Sequence, residues 1–274
     1  MPKIKIMVSS NEDFDSDVFE QTAIALQLAP RLKPIEPKQH NHRKGQLILS
    51  LQGAVTCEVA NALWLVPPQH AVWIPSGILH SCRATENAQT YFLFIDPDAA
   101  LMPDECCTVA ITPLVRELIL YLAEQEPSYP SDGPTARIVT VLLEQLSKAS
   151  IQELHLPISD HPKIKYMVDT LISDPSNRMT LKQWSNQLAI SERSLARLIE
   201  KSTGLSFGKW RQQLHLMIAL AQLAEGNSVQ NVAGNLGYDS VNAFITMFKK
   251  ALGQSPTKYF SSLENRSQKF FIDN

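Results

Sequence analysis

Two groups of residues in this sequence have types and spacings suited to chemistry. His40 and His42 lie two apart in HNHRKGQLILSLQG, residues 40–53. On a strand that spacing sends both imidazoles to one face. A third histidine from a neighbouring strand would complete a facial set for Zn, Ni, Fe or Mn. The alternative is that such histidines hydrogen-bond a ligand or one another. The second group is Arg193 and Arg197, four apart in SERSLARLIEKSTG, residues 191–204. At 100° per residue Leu195, Leu198 and Ile199 share one helix face, and the two arginines point away from it. Guanidinium groups on the open side of a short helix capped by Ser191 suit guanine edges or phosphates; a solvated charged face is the plain alternative.

The elements that must position these groups differ between the two halves of the chain. QLILSLQGAVTCEVA alternates and is rich in β-branched residues, with a turn at Gly53. ALWLVPPQHAVWIPSGILHSC is punctuated by Pro67, Pro68, Pro75 and Gly77, and QTYFLFID is a further short apolar run. Several short strands bounded by turns predict a small sandwich or barrel. From about residue 112 the period becomes helical. PLVRELILYLAEQ and ARIVTVLLEQLSK predict two amphipathic helices that either pack on the sheet or pair with another subunit. LHLPISDHP, with two prolines, reads as a linker. The expected organisation is an all-β module over 1–105, a helical dimerisation or linker segment over 106–160, and an all-α module over 161–274.

The length of 274 residues suits about two domains. The formal net charge of -2 hides an asymmetry. Residues 1–160 hold 11 Lys+Arg and 19 Asp+Glu, a net of -8, and residues 161–274 hold 14 and 8, a net of +6. An acidic module joined to a basic one points to a polyanionic partner. The cysteines are Cys57, Cys82, Cys106 and Cys107, with no CxxC pair or zinc-ribbon spacing. Buried reduced thiols, an N-terminus that turns acidic where a secretory signal would be apolar, and no apolar run approaching ~18 residues predict a cytoplasmic protein that does not span a membrane.

The all-α half carries a second unit like the first. In SVQNVAGNLGYDSVNAFITMFKKALGQSP, residues 228–256, Val229, Val232 and Leu236 form one core face and Gly237 supplies a left-handed turn. Asp239 or Ser240 caps the next helix. Phe244, Met247, Phe248 and Ala251 are expected inside, with Asn242, Thr246 and Lys249 outside and Ile245 on the flank. Asn pairs with adenine, and Ile or Thr methyls contact thymine. Between the units, Trp210, Leu214, Met217, Ile218 and Ala221 make the core stripe of a helix of about 18–20 residues, spanning about 27–30 Å. Readers of successive major-groove turns sit ~34 Å apart, so one monomer could read two turns.

Residues 163–260 resemble the DNA-binding domain of the AraC/XylS family of bacterial transcription regulators. GYDS, AF, FKK and G-x-SP-x-x-Y in the second unit stand at the family spacing. The resemblance implies base-reading roles for Arg193, Ala196 and Arg197 in the first unit and for Val241, Asn242, Ile245 and Thr246 in the second. Departures cluster in the first unit and the connecting helix. Ser185 and Ala189 replace the usual Ala and Gly, Ile199 a usual Phe, and His215 a common Arg. Ala189 would cost about 1 kcal/mol if its turn needs φ > 0.

H-x-H, Gln46, Gly53 and then PSGILH, residues 75–80, resemble the two motifs of cupin barrels, with Gln46 in place of the usual Glu. The resemblance implies a jelly-roll sensor with His40, His42, Gln46 and His80 as a divalent-metal set. Losing the carboxylate charge weakens a hard-cation site, and a vestigial or ligand-binding site is the alternative. Trp64, Trp73, Ile74 and Phe92 are expected to line an effector pocket. The reading as a whole is a non-enzymatic activator or repressor. Its cupin domain senses a small molecule or metal, its two helix-turn-helix units bind double-stranded promoter DNA, and it works as a homodimer with RNA polymerase as a further partner. The rivals are a metal-dependent cupin oxygenase or isomerase carrying a DNA domain, and a thiol redox sensor using Cys57, Cys82 or the 106–107 pair.

Overall fold

The computed structural model describes residues 7–8, 14–28, 38–59, 62–66, 70–152, 155–159 and 161–261. Pro67 and Pro68 lie outside the described residues. The chain divides into two compact units, with the main boundary between 154 and 155.

The first unit is built on two β-sheets. The larger runs β1 (Met7–Val8), β2 (Ala23–Leu28), β8 (Gln89–Ile95), β3 (Gly45–Gln52), β6 (His70–Ile74), β9 (Cys107–Ala110) and β10 (Ile151–Gln152). Every pairing in it is antiparallel except β1 with β2. The smaller sheet contains β5 (Ala62–Val66), β4 (Val55–Val59) and β7 (His80–Ala84). This is the strand-rich domain expected from the turn-bounded apolar runs. β3 is buried from Gly45 to Ser50, which explains why its sequence is a nearly continuous apolar run. The helices α1 (Pro113–Ala123) and α2 (Pro134–Leu146) pack on each other, and α1 packs on β2 and β8. The helices expected in a separate 106–160 segment are thus docked on the sheet, and residues from 155 onward group with the second unit. Tyr129, after α1, donates its hydroxyl to Ala23 O at 2.6 Å and ties the helical pair to β2.

After the short strand β11 (His155–Pro157) the second unit is helical: α3 (Pro162–Ser173), α4 (Leu181–Gln187), α5 (Glu192–Thr203), α6 (Phe207–Ala224), α7 (Val229–Asn235) and α8 (Val241–Leu252). Its core is Trp184, Leu195, Ile199, Trp210, Phe244 and Phe248, all fully buried. The 18 residues of α6 span about 27 Å. Leu216, Ala219 and Leu220 are buried beside the expected Trp210, Leu214 and Met217, whereas Ile218 and Ala221 are only half-buried. The stripe is therefore wider than periodicity implied, because a central helix is packed on several sides. Ala251 is exposed, contrary to expectation. Among the described residues no helix is long and apolar enough to cross a membrane.

Candidate ligand centre and nucleic-acid interface

The segment entering β3 brings the histidines together. His40 and His80 exchange backbone hydrogen bonds, each N–H donating to the other's carbonyl at 2.9 Å, and Gly77 N donates to His42 O at 2.9 Å. This short antiparallel bridge joins residues forty positions apart. Their rings stand 4.4 Å apart, and the His42 ring is 5.1 Å from that of His80. One ligand atom from each of His40, His42 and His80 lies within 4.8 Å of the others. The turn carrying His42 is pinned from below. Asp17 accepts from Arg43 N at 2.6 Å and Lys44 N at 3.2 Å. The fully buried Lys44 ammonium donates to Asp96 at 2.7 Å and to Gln21 O at 2.8 Å. Satisfied in this way, a buried cation holds the turn; stripped of Asp96 it would be a large liability.

Gln46 completes the cluster. Its Oε1 stands 3.2 Å from His42 Nε2 and 2.9 Å from His80 Nε2. The Nδ1 atoms of His40, His42 and His80 face the carbonyls of Lys38, Lys44 and Ile78. A carbonyl only accepts, so each Nδ1 carries the proton and each Nε2 presents a lone pair. Burial disfavours the charged form of the His42 and His80 rings: it lowers His42 below its ordinary value and pushes His80 down to about 4, with His40 and His42 adding to the latter effect. Lone pairs of His42, His80 and Gln46 Oε1 therefore converge, while Gln46 Nε2 is buried without a partner. Two arrangements satisfy them. A divalent cation bound among them is one, since donors about 2.1 Å from a metal stand roughly 3–3.4 Å apart. The other is a half-turn of the Gln46 amide, whose NH2 then donates to both rings. The donor set fits a borderline metal, with no carboxylate in it.

Strand register decides which aromatics share this face. Gln46 pairs with Ile74 and Phe94, and Ile48 with Phe92, so Ile74, Phe92 and Phe94 stand on the Gln46 side. Trp73 pairs with Leu47 and stands on the opposite face, its indole donating to Pro103 O at 2.8 Å. This corrects its expected place in the pocket: neighbouring residues on a strand point to opposite faces, so Trp73 and Ile74 cannot both line one. Trp64 is buried in β5. Phe94, edge-on to His42 with ring centroids 5.1 Å apart, was not anticipated, although its place two residues after Phe92 carried the signal.

In the second unit two matched helix-turn-helix pairs emerge. Thr180 and Gln183 form a capping box on α4, and Ser191 caps α5 by accepting from Ser194 N. Ser228 caps α7, and Ser240, not Asp239, caps α8 by accepting from Ala243 N. Asp239 instead pairs with Arg178 at 2.7 Å. Ala189 and Gly237 occupy equivalent turns, with φ of 51° and 71°. The following amides, Ile190 N and Tyr238 N, close the turns onto Ser185 O at 3.0 Å and Ala233 O at 2.9 Å. Ser185 is buried, and its hydroxyl donates to Lys182 O at 2.8 Å. Left-handed Gly204 and Gly253 follow α5 and α8.

On α5, Arg193 and Arg197 are exposed and Ala196 is half-buried; neither arginine has an ion-pair partner among the described residues. On α8, Asn242, Thr246 and Lys249 are exposed, and Val241 and Ile245 are half-buried. The Thr246 hydroxyl donates to Asn242 O at 2.8 Å. His215 is half-buried beside Tyr238, its Nδ1 3.4 Å from the phenol oxygen. Burial, then the Arg211 charge, pushes it down to about 4, so it does not replace a cationic Arg.

Residues 36–156 match the AraC-like ligand binding domain, and residues 184–262 match a helix-turn-helix domain. Over 250 residues the chain is 51% identical to the HTH-type transcriptional regulator NimR of Escherichia coli (strain K12), a match covering 91% of this chain and 92% of that protein. The chain belongs to the AraC/XylS family. It is a transcriptional regulator with a cupin-like ligand-binding domain and a helix-turn-helix DNA-binding domain. The HTH-type transcriptional activator RhaS of Escherichia coli O157:H7 (strain EC4115 / EHEC) is a more distant relative, 22% identical over 261 residues, covering 88% of this chain and 93% of RhaS. Among solved structures, ToxT from Vibrio cholerae is 10% identical at a TM-score of 0.37, covering 86% of this chain and 96% of ToxT. The DNA-binding domain of AdpA in complex with a target DNA is 23% identical at a TM-score of 0.35, covering 37% of this chain and 93% of that domain.

Proposed function

We propose that this regulator reads two major-groove segments of promoter DNA through α5 and α8, and that a ligand held at His40, His42, His80 and Gln46 controls the reading. The observation that carries the proposal is the pair of equivalent, separately capped helix-turn-helix units, the first presenting Arg193 and Arg197 unpaired to solvent. Arg193 and Arg197 supply hydrogen-bonded readout of guanine or phosphate. Ala196, Val241 and Ile245 offer methyl and shape contacts, and Asn242 pairs with adenine. Thr246, its hydroxyl proton committed to the backbone, adds a methyl or an acceptor, and Lys249 holds phosphate.

The controlling ligand is a divalent ion of the Zn, Ni, Fe or Mn class or a small molecule that hydrogen-bonds the same imidazoles. A metal there would supply a fixed charge joining the segment 38–42 to β3 and β7. Ile74, Phe92 and Phe94 would form the apolar wall. Leu114, Tyr121 and Val141 on α1 and α2 are exposed and apolar, and we assign them to contact with a second copy. The basic second unit leaves room for RNA polymerase as a further partner. Coupling requires the ligand to favour one DNA-binding arrangement over another, worth about 5–150-fold in operator affinity.

Genome-wide mapping of bound DNA would identify the operator, and titration of that operator with and without Zn2+ or Ni2+ would test control. Metal analysis of protein purified without a histidine tag is the companion measurement. Binding with no sequence preference would overturn the DNA reading. No stoichiometric metal, together with no effect of either ion, would leave the small-molecule form of the ligand reading.

A further inference from the structure

Cys57 and Cys82 are directly opposed on β4 and β7, and their sulfurs lie 2.8 Å apart. The phase of this ladder is set at its end, where Thr85 N donates to Ala54 O at 2.9 Å. Counting from that hydrogen-bonded pair, 56/83 and 58/81 are also hydrogen-bonded, and 57/82 is a non-hydrogen-bonded pair. Such pairs hold their Cα atoms about 4.5 Å apart, within the roughly 4.4–6.8 Å that a disulfide spans. The next rung on the same face is Val59 with His80, so the thiols stand two residues along β7 from a histidine of the ligand cluster. Neither the metal set nor the DNA surface uses them.

We infer that Cys57 and Cys82 are a modification site, a dithiol that closes reversibly to a disulfide when it meets a small-molecule disulfide oxidant. Cys82 is partly exposed and Cys57 is fully buried, so Cys82 meets the reagent first. Its sulfur, losing a proton, attacks one sulfur of the oxidant; the oxidant's S–S bond breaks and one thiol departs. Cys57 then loses its proton, attacks the Cys82 sulfur and expels the second thiol. Two cysteines are oxidised, one disulfide reagent is reduced to two thiols, and the two protons end on those thiols. Cys106 lies near enough for its charge to act on Cys57. Burial pushes the Cys57 thiol up as well as Cys106 and Cys107, the last two to about 11, so the touching sulfurs of Cys57 and Cys82, and not an easier deprotonation, single out this pair. The closed bridge would clamp β4 to β7 beside His80, an oxidative input independent of any ligand on the imidazoles.

The test is peptide mapping of the full-length folded protein after exposure to oxidised glutathione. We expect a single Cys57–Cys82 crosslink with loss of two hydrogen atoms, reversal by dithiothreitol, and Cys106 and Cys107 left as thiols. Cys106→Ser should close equally well. Cys57→Ala should stop at a glutathione adduct on Cys82. A wild-type protein that stays reduced, stops at the adduct, bridges through Cys106, or crosslinks only in denaturant would overturn the inference. None of these readouts depends on DNA or metal binding, so failure here is separable from failure of the proposed function.

Discussion

Ala189 is held at φ 51°, the left-handed region, in the turn between α4 and α5. An L-residue there costs about 1–2 kcal/mol because Cβ crowds the following carbonyl. The methyl is exposed, so removing it forfeits no buried contact. Against this, glycine gives the unfolded chain extra freedom worth about 0.4–1 kcal/mol. Ala189→Gly should therefore stabilise the helical unit by roughly 0.5–1 kcal/mol. That is a rise of about 0.3–0.5 M in urea midpoint for an m-value near 2 kcal/mol/M. The equivalent turn supplies the control. Gly237 has φ 71°, and a Cβ built there would lie 2.9 Å from Ser176 O and 3.1 Å from Ser176 Cα. Both are backbone atoms that cannot swing aside. Gly237→Ala combines the left-handed penalty with overpacking, less the same unfolded-chain term, and should cost about 1–4 kcal/mol. The assay is urea denaturation of the full chain followed by far-ultraviolet circular dichroism, with amide exchange over 181–203 to localise the change. A midpoint lowered by Ala189→Gly, as by an ordinary Ala→Gly change within a helix, would refute left-handed strain at this turn.

Four other outcomes follow from the same structure. Arg197→Ala should cost about 1–3 kcal/mol on the operator and flatten base preference at one position, read by competition titration across variant sites; unchanged selectivity would remove Arg197 from base reading. Gln46→Glu adds a negative charge beside His42 and His80 and should tighten Zn2+ or Ni2+ binding at least tenfold, about 1.4 kcal/mol, by calorimetric titration; equal or weaker affinity would count against Gln46 as a donor. His215 stands at about 4 in the fold against an ordinary 6.5. The unfolded chain thus binds the extra proton between those values, and stability present above pH 6.5 is lost as pH falls toward 4, by at most about 3 kcal/mol. His215→Gln should flatten that slope in denaturation series. Finally, the segment 161–274, freed of the -8 half, should bind non-specific DNA more tightly than the full chain at low salt; equal affinities in a salt-matched titration would show that the acidic half plays no part.

The helical unit was legible because what defines it is local. Caps, turns and helical faces are set within four or five residues, so Ser191, Gly237 and the outward arginines could be read from spacing alone, while the turn at Ala189 was flagged by the family resemblance. The β unit was legible as a class, and its histidine motif named residues that the fold brings together. Their meeting is a different matter. His40 reaches His80 through an antiparallel bridge that spacing cannot reveal. Trp73 faces away from Gln46 because its face depends on the parity of the register, and a shift of one residue would reverse it. The same parity opposes Cys57 to Cys82, twenty-five residues apart, and the orphaned amide nitrogen of Gln46 exists only once three strands surround it. Period and capping are properties of a segment, so the sequence by itself determined the two helix-turn-helix pairs and the candidate donors. Pairing, facing and burial are properties of segments brought together, so only the tertiary structure decided which donors converge, which aromatics join them and which thiols touch.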